Sequence, residues 1–200
     1  MTMFSKISNF ITDMIYETLP GVQPERREII EYGVYMTVSE ILKIGLIILI
    51  SLALNIFEYV FGVIAIYGIQ RAFLGGIHAK THWGCVIMHS IIVFGVVVLS
   101  FASEVDRFYI LPVVAASSYA AAYKYAPADL PQKPVKSKKQ RKQLRIGGML
   151  LLTVLFTVSV FTPRIWSNII LFSCLVQAVF MTPLAYKISK NKYSREEVTA

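Results

Sequence analysis

Apolar residues run along this chain in long blocks rather than in the short periodic patches of a water-soluble domain. The densest are 41–54, 86–101, 149–161 and 169–181. A membrane span needs about 20 mostly apolar residues, fewer when its ends snorkel, and lipid requires each span to pair its own backbone groups. The alternation expected of an outer-membrane barrel is absent. The pattern predicts an all-α integral membrane protein, a single polytopic domain over 1–200 with about six transmembrane helices, at 39–55, 57–69, 85–101, 108–123, 146–161 and 165–183. Ahead of them Phe4, Ile7, Phe10, Ile11, Met14, Ile15 and Leu19 recur at helical spacing with polar residues between. They predict an amphipathic helix over 4–19 that either lies in the membrane surface or packs on the bundle. Pro20-Gly21 ends it.

The blocks differ in character. The span at 108–123 is rich in small residues, including Ala115, Ala116, Ser117, Ser118, Ala121 and Ala122. Small residues let helix backbones approach closely in lipid, so this span is expected to be a packing element. The span at 57–69 is short and carries Glu58 at its start. Between the fourth and fifth spans, a segment at 124–145 holds Pro127, Pro131 and Pro134, then Lys136, Lys138, Lys139, Arg141, Lys142 and Arg145. It reads as an extended, solvated loop. Residues 1–20 lack the charged start, apolar centre and small-residue cleavage site of a signal peptide, so the first span is expected to serve as the insertion signal.

Composition sharpens this picture. The chain is 56% hydrophobic over 200 residues, with a mean hydropathy of +0.59, more apolar than a soluble domain of this size requires. A net charge of +8 would suggest nucleic acid in a soluble protein. Here membrane orientation explains it, and no nucleic-acid partner is expected. With the N-terminus inside and six spans, all of the 20 Lys and Arg residues except Arg107, Arg164 and Lys43 fall on the cytoplasmic side. Lys43 is expected near the inner end of the first span, where a long side chain can snorkel. The bias places both termini, the 124–145 loop and the connection between spans 2 and 3 inside, facing anionic membrane lipids.

Candidate chemistry is concentrated in that connection. All three histidines, His78, His82 and His89, lie within a few residues of Cys85, one of only two cysteines. Gly75, Gly76 and Gly84 weaken a continuous helix, so a broken or re-entrant segment is expected between spans 2 and 3. A thiolate is a competent nucleophile and a neighbouring imidazole can take its proton. A helix starting near Gly84 would favour the thiolate. Spacing leaves the base open. His78 is seven residues from Cys85, about 10 Å of rise on a straight helix, and reaches it only through a bend. His82 and His89 are nearer on an ideal helix. The spacing of His78, His82, Cys85 and His89 also forms one helical stripe with metal-compatible donors. Four consecutive stripe positions cannot converge on one ion, so neither a metal nor a cofactor is expected. A metal-binding membrane protein remains one rival reading, and a non-enzymatic transporter remains another. A purely structural role for the cysteine and histidines is the plain alternative to all of these. Cys174, within the last span, is expected only to pack.

The run Arg71-Ala72-Phe73-Leu74-Gly75-Gly76-Ile77-His78-Ala79, with Cys85 following, resembles the accessory gene regulator B (AgrB) family. So do Tyr125-Ala126-Pro127-Ala128-Asp129-Leu130, followed by Lys133-Pro134 and the basic run, and Gln177 with Thr182-Pro183-Leu184. The resemblance covers nearly the whole chain. It implies a membrane cysteine endopeptidase of Gram-positive quorum sensing. Such an enzyme would remove the C-terminal part of a small AgrD-type propeptide, acidic in that part, and help close a thiolactone or lactone ring. It implies Cys85 as nucleophile and His78 as base, gives His82 and His89 no role, and suggests a homodimer. Arg71, Gln70, Gly75 and Gly76 become candidates for orienting the substrate or stabilising an oxyanion. Lys138, Lys139 and Arg141 become candidates for docking an acidic propeptide. Asp129 and Glu58 are the available orienters for a third catalytic position.

Overall fold

The computed structural model describes residues 3–18, 27–77, 82–129, 135 and 137–189. Among them the chain is helical, in the order α1 (Met3–Thr18), α2 (Arg27–Ala53), α3 (Phe57–Leu74), α4 (His82–Ala102), α5 (Arg107–Tyr125), α6 (Lys138–Phe161), α7 (Arg164–Phe180) and α8 (Pro183–Ile188). Residues 1–55 form one compact unit and residues 56–200 another.

In the first unit α1 and α2 pack together. On α1, Thr12 is enclosed while Phe10 and Met14 are exposed. The long α2 begins well before the span expected at 39–55 and takes in Arg27, Glu28 and Glu31, because nothing between Arg27 and Ala53 breaks a helix. Its apolar stretch covers Gly33–Ala53. Lys43 therefore sits mid-helix rather than at a span end. Its side chain is buried and paired with Glu40 at 2.6 Å, one turn earlier. Pairing replaces the snorkelling expected of it.

Among the described residues, four helical stretches are long and apolar enough to cross a membrane: Gly33–Ala53, Phe57–Leu74, Trp83–Ala102 and Lys138–Phe161. The other two expected spans fall on α5, whose alanines and serines dilute its hydropathy, and on α7, a shorter apolar helix of 17 residues. Outward-facing apolar side chains such as Ile87, Ile91, Val98, Val113, Leu150 and Val154 are exposed. Such a continuous apolar exterior suits lipid rather than water.

The core of the second unit is built around α7, which packs against α3, α4, α5 and α6. Its residues Ser167–Leu171, Ser173, Cys174, Gln177 and Ala178 are buried on nearly every side, the pattern of a helix surrounded by others. Small residues set the close approaches. A Cβ on Gly62 would strike the Trp166 ring of α7, and one on Gly148 of α6 would strike the Leu74 side chain of α3. The small-residue helix α5 packs on α6 and α7, with Ser118, Ala121 and Ala122 enclosed. At the end where α4 and α6 finish, Arg107 donates to the carbonyls of Ser159, Val160 and Thr162 at 2.6–3.1 Å. Arg164 donates to Ser103 O at 3.3 Å. Cations there satisfy helix-terminal carbonyls and oppose the negative ends of the helix dipoles.

The 124–145 segment is not a loop throughout. Ser137 caps α6 by accepting from Gln140 N, and helix runs from Lys138 onward. Lysine, arginine and glutamine are good helix formers once capped, so the basic run is the first part of a helix whose later turns are apolar.

Candidate functional site

The α3 helix stops where the backbone becomes one that only glycine adopts readily. Gly75 has φ 74° and ψ −152°, and Gly76 has φ 133°. Those angles carry little steric cost without a Cβ. They turn the chain into a corner, Gly75–Ile77, several of whose backbone groups are matched by partners distant in sequence. Ala128 N donates to Leu74 O at 2.9 Å and Gly76 N donates to Ala128 O at 2.7 Å, forming a single parallel bridge between Gly75 and Ala128. Gln177 Nε2 donates to Gly75 O at 2.7 Å, and Ile77 N donates to Phe180 O at 3.2 Å.

The strip carrying Ala128 is itself held from several directions. It passes through a cis Ala126–Pro127 bond. Tyr186 Oη of α8 donates to Ala128 O at 2.9 Å, and Arg145 Nε donates to Ala126 O at 2.9 Å. Arg141 forms an ion pair with Asp129 at 2.7 Å and donates to Val135 O at 3.2 Å, while Val135 N donates to Asp129 Oδ2 at 2.8 Å. Asp129 is enclosed, so removing its cation would leave a charge in a poorly solvated place.

These contacts show what several sequence candidates are doing. Arg71 is half-buried. Its guanidinium donates to Tyr67 Oη at 3.0 Å and to the carbonyl oxygens of Gly76 and Ile77. It grips the corner that follows its own helix. Gly75 N donates to Arg71 O and Gly76 N to Ala128 O, so both glycine N–H groups are spent within the protein. Gln70 is fully buried between α3 and α7, with its amide beside the Cys174 thiol. Arg141 serves Asp129, whereas Lys138, Lys139 and Lys142 project into the open. Asp129 is committed to Arg141 and Val135, and Glu58 stands in the first turn of α3, roughly 20 Å of helix rise from Arg71.

His78 lies outside the described residues, as do Lys133 and Lys136. The helix after it begins at His82, two residues before Gly84, and runs without a break to Ala102. Cys85 is its fourth residue, half-buried and not in a disulfide. His89 stands one turn further along, its ring edge-on to Tyr67 with centroids 5.8 Å apart and planes at 63°. Among the described residues no three His, Cys, Asp or Glu side chains converge as a metal site.

Tyr67 is the residue that the sequence reading missed. It is buried and touches both Arg71 and His89. The only signal for it was its position four residues before Arg71, which puts both on one helix face. Tyr186 was missed as well, since a single long-range hydroxyl–carbonyl bond leaves no periodic trace.

Comparison with known proteins adds the following. A family model described as Accessory gene regulator B matches residues 8–181. An AgrB-like protein 2 of Clostridium perfringens (strain 13 / Type A) is 26% identical over 83% of this chain and 80% of its own length. The Accessory gene regulator protein B of Staphylococcus aureus (strain MW2) is 26% identical over 78% of this chain and 83% of its own. An AgrB-like protein of Clostridium beijerinckii is 29% identical over 75% of this chain and 74% of its own. No solved structure matches the chain.

Proposed function

The chain belongs to the accessory gene regulator B family, and from that premise we propose that it is a membrane cysteine endopeptidase of a quorum-sensing system. It cuts the C-terminal part from a small AgrD-type propeptide and promotes closure of the remainder into a thiolactone or lactone. Cys85 is the nucleophile and His78 the base. The thiolate adds to the scissile carbonyl. Collapse of the tetrahedral intermediate breaks the C–N bond, His78 returns its proton to the leaving amine, and the C-terminal fragment departs. The remaining peptide is then a thioester on Cys85. A thiol or hydroxyl within that peptide attacks the thioester, closes the ring and releases the cysteine. A thiol-to-thioester exchange nearly conserves acyl activation, provided water is kept from the intermediate.

The observation that supports this reading most is the setting of the Cys85 thiol. It is half-buried near the start of an apolar helix, in the chain just after a corner with non-helical glycine geometry that several hydrogen bonds and one ion pair hold directly or through its neighbouring strip. Elaborate backbone fixation is what a reaction sensitive to about 1 Å of misplacement requires. The test is co-expression with a short candidate propeptide. Intact mass should show the N-terminal fragment attached at Cys85, and hydroxylamine should remove it. Normal cleavage without any such adduct under trapping conditions would overturn the thioester route.

In this reading six helices cross the membrane with both termini cytoplasmic, and a thiol probe placed at the exposed Ser137 should react only from inside the cell. The basic run then divides into two jobs. Replacing Lys138, Lys139 and Lys142 by Gln should raise KM for an acidic-tailed propeptide about three- to tenfold without changing the melting temperature, and the difference from wild type should shrink at high salt. Arg141→Gln should act oppositely, lowering the melting temperature in detergent through the orphaned Asp129 carboxylate. An unchanged KM in the triple variant would leave the lysines a topological and lipid-binding role only.

A further inference from the structure

If Cys85 attacks a carbonyl, negative charge develops first on sulfur and then on the carbonyl oxygen, and some group must receive it. The backbone donors of the nearby corner are occupied: Gly75 N by Arg71 O, Gly76 N by Ala128 O, and Ile77 N by Phe180 O. The Tyr67 hydroxyl offers a further donor. Tyr67 Oη accepts a hydrogen bond from Arg71 Nη1 at 3.0 Å. A guanidinium carries no acceptor, so in that bond the phenol oxygen must accept and its own hydrogen is left to donate elsewhere.

The helices set where that hydrogen can go. α3 and α4 pack together, joined by residues 75–81. Tyr67 lies two turns before the end of α3 and His89 two turns after the start of α4, and their rings meet edge to face. Arg71 and Cys85 each lie one turn nearer the shared end. Tyr67 and Cys85 therefore stand about one helical turn, roughly 5 Å, apart in level, and the bond to Arg71 ties the phenol oxygen to the residue nearer that end. Arg71 is itself fixed by the Gly76 and Ile77 carbonyls, so its charge polarises the phenol from a constant position.

We infer that Tyr67 is a catalytic residue, whose hydroxyl donates a hydrogen bond to the reacting centre at Cys85, to the thiolate before attack and to the carbonyl oxygen of the tetrahedral intermediate after it. The inference rests on the cysteine-endopeptidase reading. Tyr67 forms and breaks no covalent bond; it stabilises charge without giving up its proton. Burial of the ring excludes water from that hydrogen bond and strengthens it.

The experiment uses the full-length protein in detergent or vesicles, in a Cys174→Ser background so that Cys85 is the only thiol. Tyr67→Phe keeps the ring and its contact with His89 and removes the hydroxyl, both as donor and as the acceptor for Arg71. Its kcat for propeptide cleavage should fall about 100-fold with KM nearly unchanged. Independently of any propeptide, alkylation of Cys85 by iodoacetamide at pH 7 should slow about five- to tenfold. Unchanged kcat together with unchanged alkylation would overturn the inference. Cys85→Ser in the same preparation separates the two levels. If Cys85→Ser still cleaves, the endopeptidase reading itself fails; if it is dead while Tyr67→Phe is fully active, only the role of Tyr67 fails. Should Tyr67→Phe not accumulate, 3-fluorotyrosine at position 67 carries the test. It is a stronger donor of nearly the same shape, and an unaltered kcat and alkylation rate would overturn the inference equally.

Discussion

Cys85→Ser should abolish propeptide cleavage, by at least about 1000-fold, while the protein inserts and accumulates normally. The size follows from chemistry: a serine hydroxyl at neutral pH lacks the thiolate population that makes cysteine a nucleophile without further activation. Normal insertion follows from the half-buried setting and near-identical shape of the two side chains. His78→Ala should match it. Cys174→Ser should leave kcat unchanged, because Cys174 is enclosed beside Gln70 in the packed centre of α7 and faces no open site. The histidines of α4 give the sharper comparison. Since α4 is unbroken from His82 to Ala102, His82 and His89 do lie one turn either side of Cys85. His82→Ala should be active, and His89→Ala should lose only severalfold through its contact with Tyr67. Cleavage assays on purified variants decide the matter: a dead His89→Ala beside an active His78→Ala would transfer the role of base to His89.

Gly75→Ala should be the most damaging single methyl in the chain. The backbone there has φ 74° and ψ −152°, a region that costs a side-chain-bearing residue about 1–3 kcal/mol. The added Cβ would also strike the Ala128 carbonyl, which already receives bonds from Gly76 N and Tyr186 Oη. Backbone cannot swing aside as a flexible side chain can, so the Gly75–Ala128 bridge must open and the corner must shift. A displacement near 1 Å is enough for about a 100-fold loss in kcat/KM, and the melting temperature should fall with it. Gly76→Ala should be milder. It is strained by its φ of 133°, but its Cβ would meet Arg71 Nη1 at 3.1 Å and Phe180 O at 3.3 Å, approaches that small adjustments relieve. Gly95→Ala, where nothing lies within 4 Å of the new methyl, is the control and should be neutral. Melting curves and cleavage rates for the three variants, side by side, would test the ranking. Equal behaviour of Gly75→Ala and Gly95→Ala would show that the corner does not matter.

The helices were legible because lipid-facing and core-facing surfaces are both apolar, and hydropathy sees both. It does not see where a helix continues outside the apolar zone. That is why α2 begins at Arg27 rather than 39, and α6 at Lys138 rather than 146. Stops were readable only where a residue enforces them: Gly75 ends α3 as its type suggests, whereas Gly84 is absorbed into α4, since one glycine inside a helix costs only about 1 kcal/mol. The cluster around Cys85 stood out by residue type. The pairing of Gly75 with Ala128 did not, since a bond across more than fifty residues imposes no period on either segment. For the same reason the bonds that Arg71, Gly75, Gly76 and Arg141 make to the protein's own backbone and to Asp129 left no mark in the sequence, where these residues stood only as candidates by type.

The corner at Gly75–Ile77 has a consequence for the order of assembly during synthesis. Each of its long-range partners is translated after it: Ala128 beyond α5, then Gln177 and Phe180 at the far end of α7, and Tyr186, which secures Ala128, in α8. A nascent chain that has already inserted α3 and α4 therefore carries its thiol with only Arg71 holding the corner's backbone. The geometry is completed only when the last helices leave the ribosome. Chains released after α6 should insert stably enough to be detected and yet be unable to build the corner, which ties competence to full-length translation.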